Sequence, residues 1–236
     1  GSLVIPRYSA LPFYKELEND VKILGSRLLN TYNQHNYVAD IINWYGDLEH
    51  LTFPTWTLDS YFPDNVKGPF VLKGRTNSKK DKWNTHMFAK NRTEAIKVLN
   101  NLRDDEFIEP QGIVLRQYVP LFKLLEDPIN KMPVTMEYRF FCLDGKILSS
   151  GFYWINFVDE VKDLIPTKTP EAAIKLVEQV LRIVEDKIRF VVVDVALKAD
   201  GNEWIVVELN DGQQSGISMN DPEILYKNLY QRLISG

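Results

Sequence analysis

The sequence contains few of the features that mark secreted, membrane-spanning or nucleic-acid-binding proteins. Cys142 is the only cysteine among 236 residues, so an intrachain disulfide is excluded and a reducing, cytoplasmic compartment is expected. No apolar run approaches the roughly 20 residues that cross a bilayer, so no membrane partner is expected. With 28 Lys and Arg against 32 Asp and Glu, the net charge of −4 disfavours binding to nucleic acid through counterion release, although a local basic patch could still bind phosphate.

Several familiar catalytic motifs are also missing. The chain has no G-x-x-x-x-G-K-[ST] loop, no G-x-G-x-x-G turn, no kinase catalytic loop and no Lys-x-Asp-Gly element. Its three histidines, His35, His50 and His86, are too scattered for a zinc site. Any chemistry on phosphate must therefore be sought in other patterns.

The hydrophobic periodicity predicts an α+β protein with a mostly antiparallel sheet. Apolar residues at helical spacing fall in two stripes, the first formed by Leu17, Val21, Leu24 and Leu28 and the second by Tyr37, Ile41, Trp44, Tyr45 and Leu48. Residues 52–63 contain two prolines and are interpreted as a linker. Residues 74–83 are interpreted as a polar, basic loop. The remaining predicted elements are strands at 70–73 and 113–120, hairpins at 136–154 (turning at Asp144-Gly145) and 189–213, and helices at 93–102 (Asn91 and Glu94 as a capping box), 169–186 (Thr169 as N-cap) and 221–234.

The hairpin RFVVVDVALKADGNEWIVVELNDGQ, residues 189–213, places oxygen-bearing side chains among Val, Leu and Ile. Alternation along the strands puts Asp194 on one face of the first strand, and Glu208 and Asn210 on one face of the second. If residues 200–202 form a three-residue loop, Asp194 lies opposite Glu208 with Asn210 as a diagonal neighbour. The hairpin then gathers three oxygen donors on one face.

Two carboxylates placed opposite each other need compensation. At an effective dielectric near 20, they repel by roughly 3–4 kcal/mol. One protonated acid or a bound cation removes that cost, and two carboxylates with an amide oxygen suit Mg²⁺. The alternative is that Asp194 and Glu208 are solvated edge residues or pair with arginines. We expect Asp194, Glu208 and Asn210 to hold Mg²⁺.

A basic segment supplies the counterpart for phosphate. Lys73 ends an apolar strand, and Arg75, Lys79 and Lys80 follow in a polar loop. The alternative for such a loop is simple solvation. On a later strand Glu137 and Arg139 lie two residues apart and share a face. They could form a surface ion pair, or Arg139 could neutralise phosphate charge in a transition state.

Taken in order, these motifs resemble the ATP-grasp superfamily. They are FVLK (70–73) with its basic loop, IVLRQYV (113–119), MEYRFF (136–141), and DVAL (194–197) followed 14 residues after its Asp by ELN (208–210). LVIPRYS, TNSKK and ELNDGQQSG are similar to the bacterial and phage clade named for one arginine and two lysines. The resemblance implies two α+β subdomains that clasp ATP. It places a shortened N-terminal α/β domain at 3–53 and the ATP-grasp domain at 54–236, with a phosphate-loop and hinge subdomain at 54–120 and a metal-binding subdomain at 121–236.

The resemblance also implies roles for individual residues. Lys73 would contact the α-phosphate and adenine, while Arg75 with Lys79 or Lys80 would cover the phosphates. The backbone of the hinge would read adenine, Arg139 would lie near the γ-phosphate with Glu137 beside it, and Asp194, Glu208 and Asn210 would hold Mg²⁺. The hinge residues are Gln117, Tyr118 and Val119.

The activity that the resemblance implies is ATP- and Mg²⁺-dependent ligation of a carboxylate to an amine through an acylphosphate. The two substrates would be amino acids, peptides or proteins. The alternatives are an ATP-grasp phosphotransferase acting on a hydroxyl and a nucleotide-binding domain without turnover.

Overall fold

The structure is a computed structural model, and it describes residues 1–58, 62–63 and 66–235. The helices are Tyr14–Ile23 (α1), Tyr32–Ala39 (α2), Ile41–Leu48 (α3), Arg92–Arg103 (α4), Val158–Val161 (α5), Glu171–Val184 (α6) and Pro222–Ser235 (α7). The strands are Leu3–Val4 (β1), Arg27–Leu28 (β2), Thr55–Thr57 (β3), Phe70–Gly74 (β4), Phe88–Ala89 (β5), Ile113–Gln117 (β6), Lys123–Ile129 (β7), Met132–Thr135 (β8), Glu137–Leu143 (β9), Lys146–Phe152 (β10), Phe190–Leu197 (β11) and Trp204–Asp211 (β12). Within these described ranges, no helix combines the length and the apolar character needed to span a membrane.

The chain forms two compact units. Unit 1 contains Gly1–Ala39, Glu137–Ala196 and Val206–Gly236, and unit 2 contains Asp40–Met136 and Leu197–Ile205. Of residues 3–53, the segment 3–39 belongs to unit 1 and the remainder to unit 2. The segment is joined to unit 1 by hydrogen bonds, such as those that the Asn30 side chain makes with the backbone of Phe190.

Unit 1 is built on a four-stranded sheet of order β10-β9-β11-β12. All seven residues of β9 are buried, as expected of a central strand that packs on both faces. Strands β9 and β10 are joined at Asp144-Gly145, where both residues have positive φ values of 47° and 72°. The predicted two-residue turn is therefore present. Helix α7 packs Leu225 and Leu229 against Phe190 and other apolar residues of this sheet.

Unit 2 is built on a second four-stranded sheet, of order β3-β6-β4-β5, and on the two-stranded sheet β7-β8. Phe70 and Leu72 of β4 are fully buried in a cluster that includes residues of α4. Helix α4 begins as the sequence predicts, with the Asn91 side chain accepting from the N–H of Glu94. The Glu94 carboxylate accepts from the N–H of Lys90 rather than from that of the cap residue.

Several local predictions were wrong for identifiable reasons. Residues 55–57 of the proposed linker form β3, which pairs with β6, while residues 59–61 of that linker lie outside the described residues. Leu24 does not extend the first stripe. Helix α1 ends at Ile23, Leu24 is its C-cap and is 80% exposed, and Gly25 follows in the left-handed region with a φ of +69°. Thr169 does not cap α6, since its hydroxyl bonds to that of Ser150 and Pro170 is the N-cap.

The basic loop is more ordered than its composition indicates. Lys80–Lys82 form a short 3₁₀ turn and Trp83–Met87 form a π-helical turn. The side-chain amide of Asn101, on α4, donates to the carbonyl of Thr85 at 2.7 Å and holds this turn in place.

The turn of the β11–β12 hairpin also differs from the prediction. The N–H of Lys198 donates to the carbonyl of Glu203, which closes a loop of four residues rather than three. The N–H of Ala199, which the three-residue loop requires for pairing, donates to Pro120 instead. At the other end of the hairpin the N–H of Gly212 donates to the carbonyl of Phe190. Continuing the pairing of Lys198 with Glu203 along the strands would place residue 211, not 212, opposite Phe190, so the pairing shifts by one residue along the hairpin.

Candidate functional site

The candidate site in unit 1 is centred on a buried ion pair. Asp194 of β11 lies opposite Arg139 of β9 in the sheet register, so both side chains leave the same face. Arg139 donates from Nε to Oδ1 of Asp194 at 2.8 Å and from Nη2 to Oδ2 at 2.7 Å. The Asp194 side chain is only 1% exposed and that of Arg139 10%. Arg139 therefore forms its two-point ion pair with Asp194.

Asn210 and Glu208 complete the face. The Asn210 amide lies 3.4 Å from Oδ2 of Asp194, so these two strands bring the predicted donors together although the turn differs. Glu208 is half-buried and its charge acts on Arg139. In the part of the chain that the structure describes, no group of three or more His, Cys, Asp and Glu residues is arranged to hold a metal. The candidate donor set comprises two carboxylates and an amide.

The charge state of Arg139 is fixed by its surroundings. Burial by itself lowers the pKa of Arg139, but the adjacent charge and hydrogen bonds of Asp194 outweigh it and raise the pKa well above its ordinary value. Its Nη1 donates to the carbonyl of Gly216 at 2.8 Å, and its guanidinium lies 4.8 Å from the centre of the Tyr153 ring. Arg139 is thus a permanent, oriented cation.

The segment that follows β12 is tied to the N-terminal residues, which the sequence reasoning did not foresee. Arg7 donates to the carbonyls of Gly212 and Ser215 at 2.5 and 2.6 Å. The Gln213 and Gln214 side chains accept from backbone N–H groups of residues 29 and 10. Gly212 is required here, because a Cβ at this position would lie 2.7 Å from the Phe190 ring. The position of residues 212–215 is therefore set by the first part of the chain.

Next to Asn210, Asp211 points into a buried polar network. Its carboxylate accepts from the Asn30 amide at 2.7 Å and lies 3.0 Å from Nδ1 of His35. The His35 ring stacks on Tyr14 at 4.0 Å between ring centres, and burial with the nearby Asp211 charge raises the pKa of Tyr14. Asparagine and aspartate adjacent in sequence thus serve opposite faces of one strand. The alternation of side chains along β12 was the signal that could have shown Asp211 facing away from Asn210.

The predicted phosphate-binding residues Lys73, Arg75 and Lys79 of unit 2 have different surroundings. Lys73 of β4 is only 5% exposed and pairs in register with Val114. Arg75 forms a two-point ion pair with Asp40, which also caps α3. Lys79 bonds to Asp105 at 2.7 Å, and this bond lowers the pKa of Asp105. The sequence reasoning identified the cations but neither of these two carboxylate partners.

The backbone N–H groups of the hinge segment differ in whether they have a hydrogen-bond acceptor within the protein. The N–H groups of Gln117 and Tyr118 donate to the carbonyls of Pro54 and Pro69. Along the described ranges, the N–H of Val119 has no protein acceptor. If the hinge reads a base through a backbone N–H, Val119 is the residue that can supply it.

Comparisons with known proteins identify the fold. The chain is similar to D-alanine–D-alanine ligase from Bacillus anthracis complexed with ATP, at a TM-score of 0.60 and 16% identity over 96% of this chain and 72% of that one. It is also similar to the L-amino acid ligase from Bacillus licheniformis (TM-score 0.56, 13% identity, 85% of this chain and 46% of that chain). A third similar structure is a pyruvate carboxylase from Rhizobium etli (TM-score 0.65, 12% identity, 95% and 20%). The comparison with curated proteins found no match.

These likenesses, at 12–16% identity, establish the fold alone. The two four-stranded antiparallel sheets with their helices confirm the predicted α+β class. A family model matches residues 60–229, and the chain belongs to the family it describes, which is the ATP-grasp domain of family 3 in the clade named for one arginine and two lysines.

Proposed function

We propose that this protein is an ATP- and Mg²⁺-dependent ligase that joins a carboxylate to an amine through an acylphosphate. Membership of an ATP-grasp family supports the use of ATP. Two proteins of similar fold are named as D-alanine–D-alanine ligase and L-amino acid ligase, which join amino acids. The observation that carries the proposal is the convergence of Asp194, Asn210 and Glu208 around Arg139 on one face of the unit 1 sheet.

The donor set fits a magnesium ion in its chemistry. Asp194, Glu208 and Asn210 offer carboxylate and amide oxygens, the hard ligands that Mg²⁺ prefers. Arg139 occupies two and the Asn210 amide a third of the about four lone-pair positions of the Asp194 carboxylate, which leaves one for a metal ion. Bound there, Mg²⁺ would offset phosphate charge during transfer.

Arg139 is proposed to stabilise anionic oxygens of the reacting groups. A guanidinium has about five N–H donors. Three of them are engaged by Asp194 and Gly216, so two remain for a phosphate or acyl oxygen. Because Asp194 and Gly216 hold the guanidinium in place, little reorganisation is needed when charge develops.

In unit 2 the proposed roles follow the same chemistry. Lys73, at the end of β4, would bind phosphate and the adenine edge, and the N–H of Val119 would bind adenine. Arg75 and Lys79, with Lys80, would cover the phosphates. Arg75 would have to leave Asp40, and Lys79 would have to leave Asp105, to bind phosphate oxygens. Binding of ATP would therefore break these two ion pairs.

The reaction would proceed in two balanced steps. An oxygen of the substrate carboxylate attacks the γ-phosphorus of ATP, the bond to the bridging oxygen breaks, and ADP leaves. The amine nitrogen then attacks the acylphosphate carbon, inorganic phosphate leaves, and the nitrogen loses a proton as the amide forms. Protein groups bind, orient and neutralise charge in both steps, so no protein nucleophile is required.

The product of the reaction tests this proposal. The protein is incubated with ATP, Mg²⁺ and pooled amino acids and short peptides, and products are read by mass. An amide product formed together with equal amounts of ADP and phosphate is expected. A stable phosphorylated product formed without any amine would instead assign a phosphotransferase, and nucleotide binding without ADP formation across the panel would contradict an enzyme.

A further inference from the structure

Unit 2 contains a cavity of about 470 Å³ whose lining consists mostly of residues without a proposed nucleotide role. It lies between the π-helical turn, β5, the hinge and the β7–β8 hairpin. Its walls include the aromatic rings of Trp83, Phe88 and Tyr118, and lysines contribute to its lining. The volume falls in the usual range for small-molecule sites, roughly 300–1,000 Å³.

The aromatic wall has a defined geometry. The rings of Trp83 and Phe88 lie nearly parallel, with centroids 5.8 Å apart and an interplanar angle of 15°. Phe88 meets Tyr118 edge to face at 5.1 Å. Trp83 is the first residue of the π-helical turn, a form frequently found at functional sites, and it remains partly exposed. A partly exposed ring of this kind can stack on a planar ligand.

The opposite side is formed by the tip of the β7–β8 hairpin. Asn130 and Lys131 have positive φ values of 45° and 71°, the pattern of a tight hairpin turn between Ile129 and Met132. Lysine seldom adopts this conformation, whereas asparagine does so readily. The Asn130 amide donates to the carbonyl of Asp81, which fixes the hairpin tip against the segment that precedes Trp83.

The charges around the cavity leave cations available. Lys123 is bonded to Glu126 at 2.9 Å. Lys90 and Lys131 also line the cavity, and neither ammonium has a carboxylate partner within the described ranges. The two acids of the lining are Glu94, which accepts from a backbone N–H, and Asp127. With Lys123 neutralised by Glu126, the cations of the lining that remain for an anionic ligand are Lys90 and Lys131.

We propose that this cavity binds a small ligand that carries a planar aromatic ring and one anionic group, and that this ligand is distinct from ATP. The ring would stack on Trp83, and the carboxylate or phosphate would be held by Lys131 and Lys90. Of the residues assigned nucleotide roles, only Tyr118 lines the cavity, through its ring and not through its hinge backbone. That the ligand is a substrate of the ligase rests on the proposed function, whereas its binding does not.

Binding can be measured by equilibrium dialysis with four small probes in the presence of Mg²⁺, each with and without a saturating non-hydrolysable ATP analogue. N-acetyl-L-tryptophan and AMP supply ring and anion as carboxylate or phosphate, and N-acetyl-L-tryptophanamide and adenosine are their neutral counterparts. We expect at least one anionic probe to bind about tenfold more tightly than its neutral counterpart. The preferred anion identifies the source of the ligand as an amino acid or peptide, or as a nucleotide.

Three variants assign that binding to the cavity. Lys131→Asn removes the ammonium and suits the turn, and Trp83→Leu removes the ring; each should weaken binding roughly fivefold to tenfold. Trp83→Phe retains a ring and should recover most of the affinity. Lys97→Asn, on an exposed position of α4 outside the cavity, should leave it unchanged.

The proposal is overturned if neither anionic probe binds, if the ATP analogue displaces the probe, or if Lys131→Asn and Lys97→Asn behave alike. Binding of the ATP analogue is measured in the same samples and should persist in all three cavity variants. A failure of the cavity proposal therefore leaves nucleotide binding intact, while a failure of the proposed function, seen as the absence of an amide product, leaves the probe result standing.

Discussion

Arg139 and Asp194 face each other across neighbouring strands and are joined by two parallel N–H···O bonds of 2.8 and 2.7 Å in the interior of unit 1. A matched two-point contact neutralises two charges that would otherwise be costly to bury. It also orients the guanidinium toward the face that carries Asn210 and Glu208. The pair thus links the stability of the sheet to the proposed chemistry.

Removing one partner of this pair should destabilise the fold strongly. Asp194→Asn leaves the Arg139 charge buried without its counterion, at a cost of about 3–5 kcal/mol in the free energy of unfolding. The matched control is Asp144→Asn, which breaks the same two-point contact with Arg189 where both side chains are about a third or more exposed. That change should cost about 1 kcal/mol or less. Denaturant titration measures both, and equal costs would contradict the account of the buried pair.

The single thiol reports on the core of unit 1. Cys142 is buried in β9 between strands β10 and β11, and burial raises its pKa above the ordinary value of 9.0. A thiol reagent at pH 8 should therefore react only as fast as the protein unfolds, and at once in denaturant. The raised pKa also means that this group's contribution to stability is full below the ordinary thiol pKa and is lost as pH rises above it. Rapid labelling of the native protein would show that the sheet opens.

The contacts of Arg7 should hold residues 212–215 in place. Arg7→Gln removes two charge-assisted bonds to the carbonyls of Gly212 and Ser215, so amide hydrogen exchange in this segment should accelerate by roughly threefold or more. Arg27→Gln alters an exposed arginine of the same N-terminal segment and serves as the control. Unchanged exchange in both variants would show that the segment is fixed without Arg7.

The ion pair between Lys79 and Asp105 gives a direct test of the role of this lysine. If Lys79 must leave Asp105 to bind phosphate, Asp105→Asn should strengthen ATP binding by roughly twofold to fivefold, because the competing carboxylate charge is gone. Asp104→Asn, at the neighbouring C-cap of α4, controls for the change in net charge. An ATP affinity that is unchanged in Asp105→Asn, or equally raised in both variants, would assign Lys79 a structural role only.

Local signals in the sequence predicted well. The Asp144-Gly145 turn and the Asn91 cap depend on a few adjacent residues, and both are present. The ordered motifs indicated the ATP-grasp fold, which the family match at residues 60–229 confirms. Asp194 and Asn210 lie in contact as predicted, although the loop is longer than predicted, because the pairing shifts by one residue along the hairpin.

Features that depend on distant partners were not predictable in the same way. Ala199 is drawn out of the expected turn by Pro120, a residue far away in sequence. The pairing of Arg139 with Asp194 follows from the register of β9 on β11, which no local pattern encodes. Asp40 and Asp105 carry no sequence signal for their basic partners. The bonds of Arg7 and Asn30 to Gly212 and Phe190 likewise join residues that are far apart in sequence.

The central claim is that Glu208, with Asp194 and Asn210, holds the magnesium ion that ATP chemistry requires. The most direct measurement compares Glu208→Gln with Glu203→Gln, an exposed glutamate of the same hairpin that pairs with Lys198. ATP consumption with Mg²⁺ and pooled substrates is followed, and circular dichroism checks the fold. The account predicts that turnover falls roughly 100-fold or more in Glu208→Gln with the fold retained, and stays at the wild-type rate in Glu203→Gln. Wild-type turnover in a folded Glu208→Gln protein would contradict it.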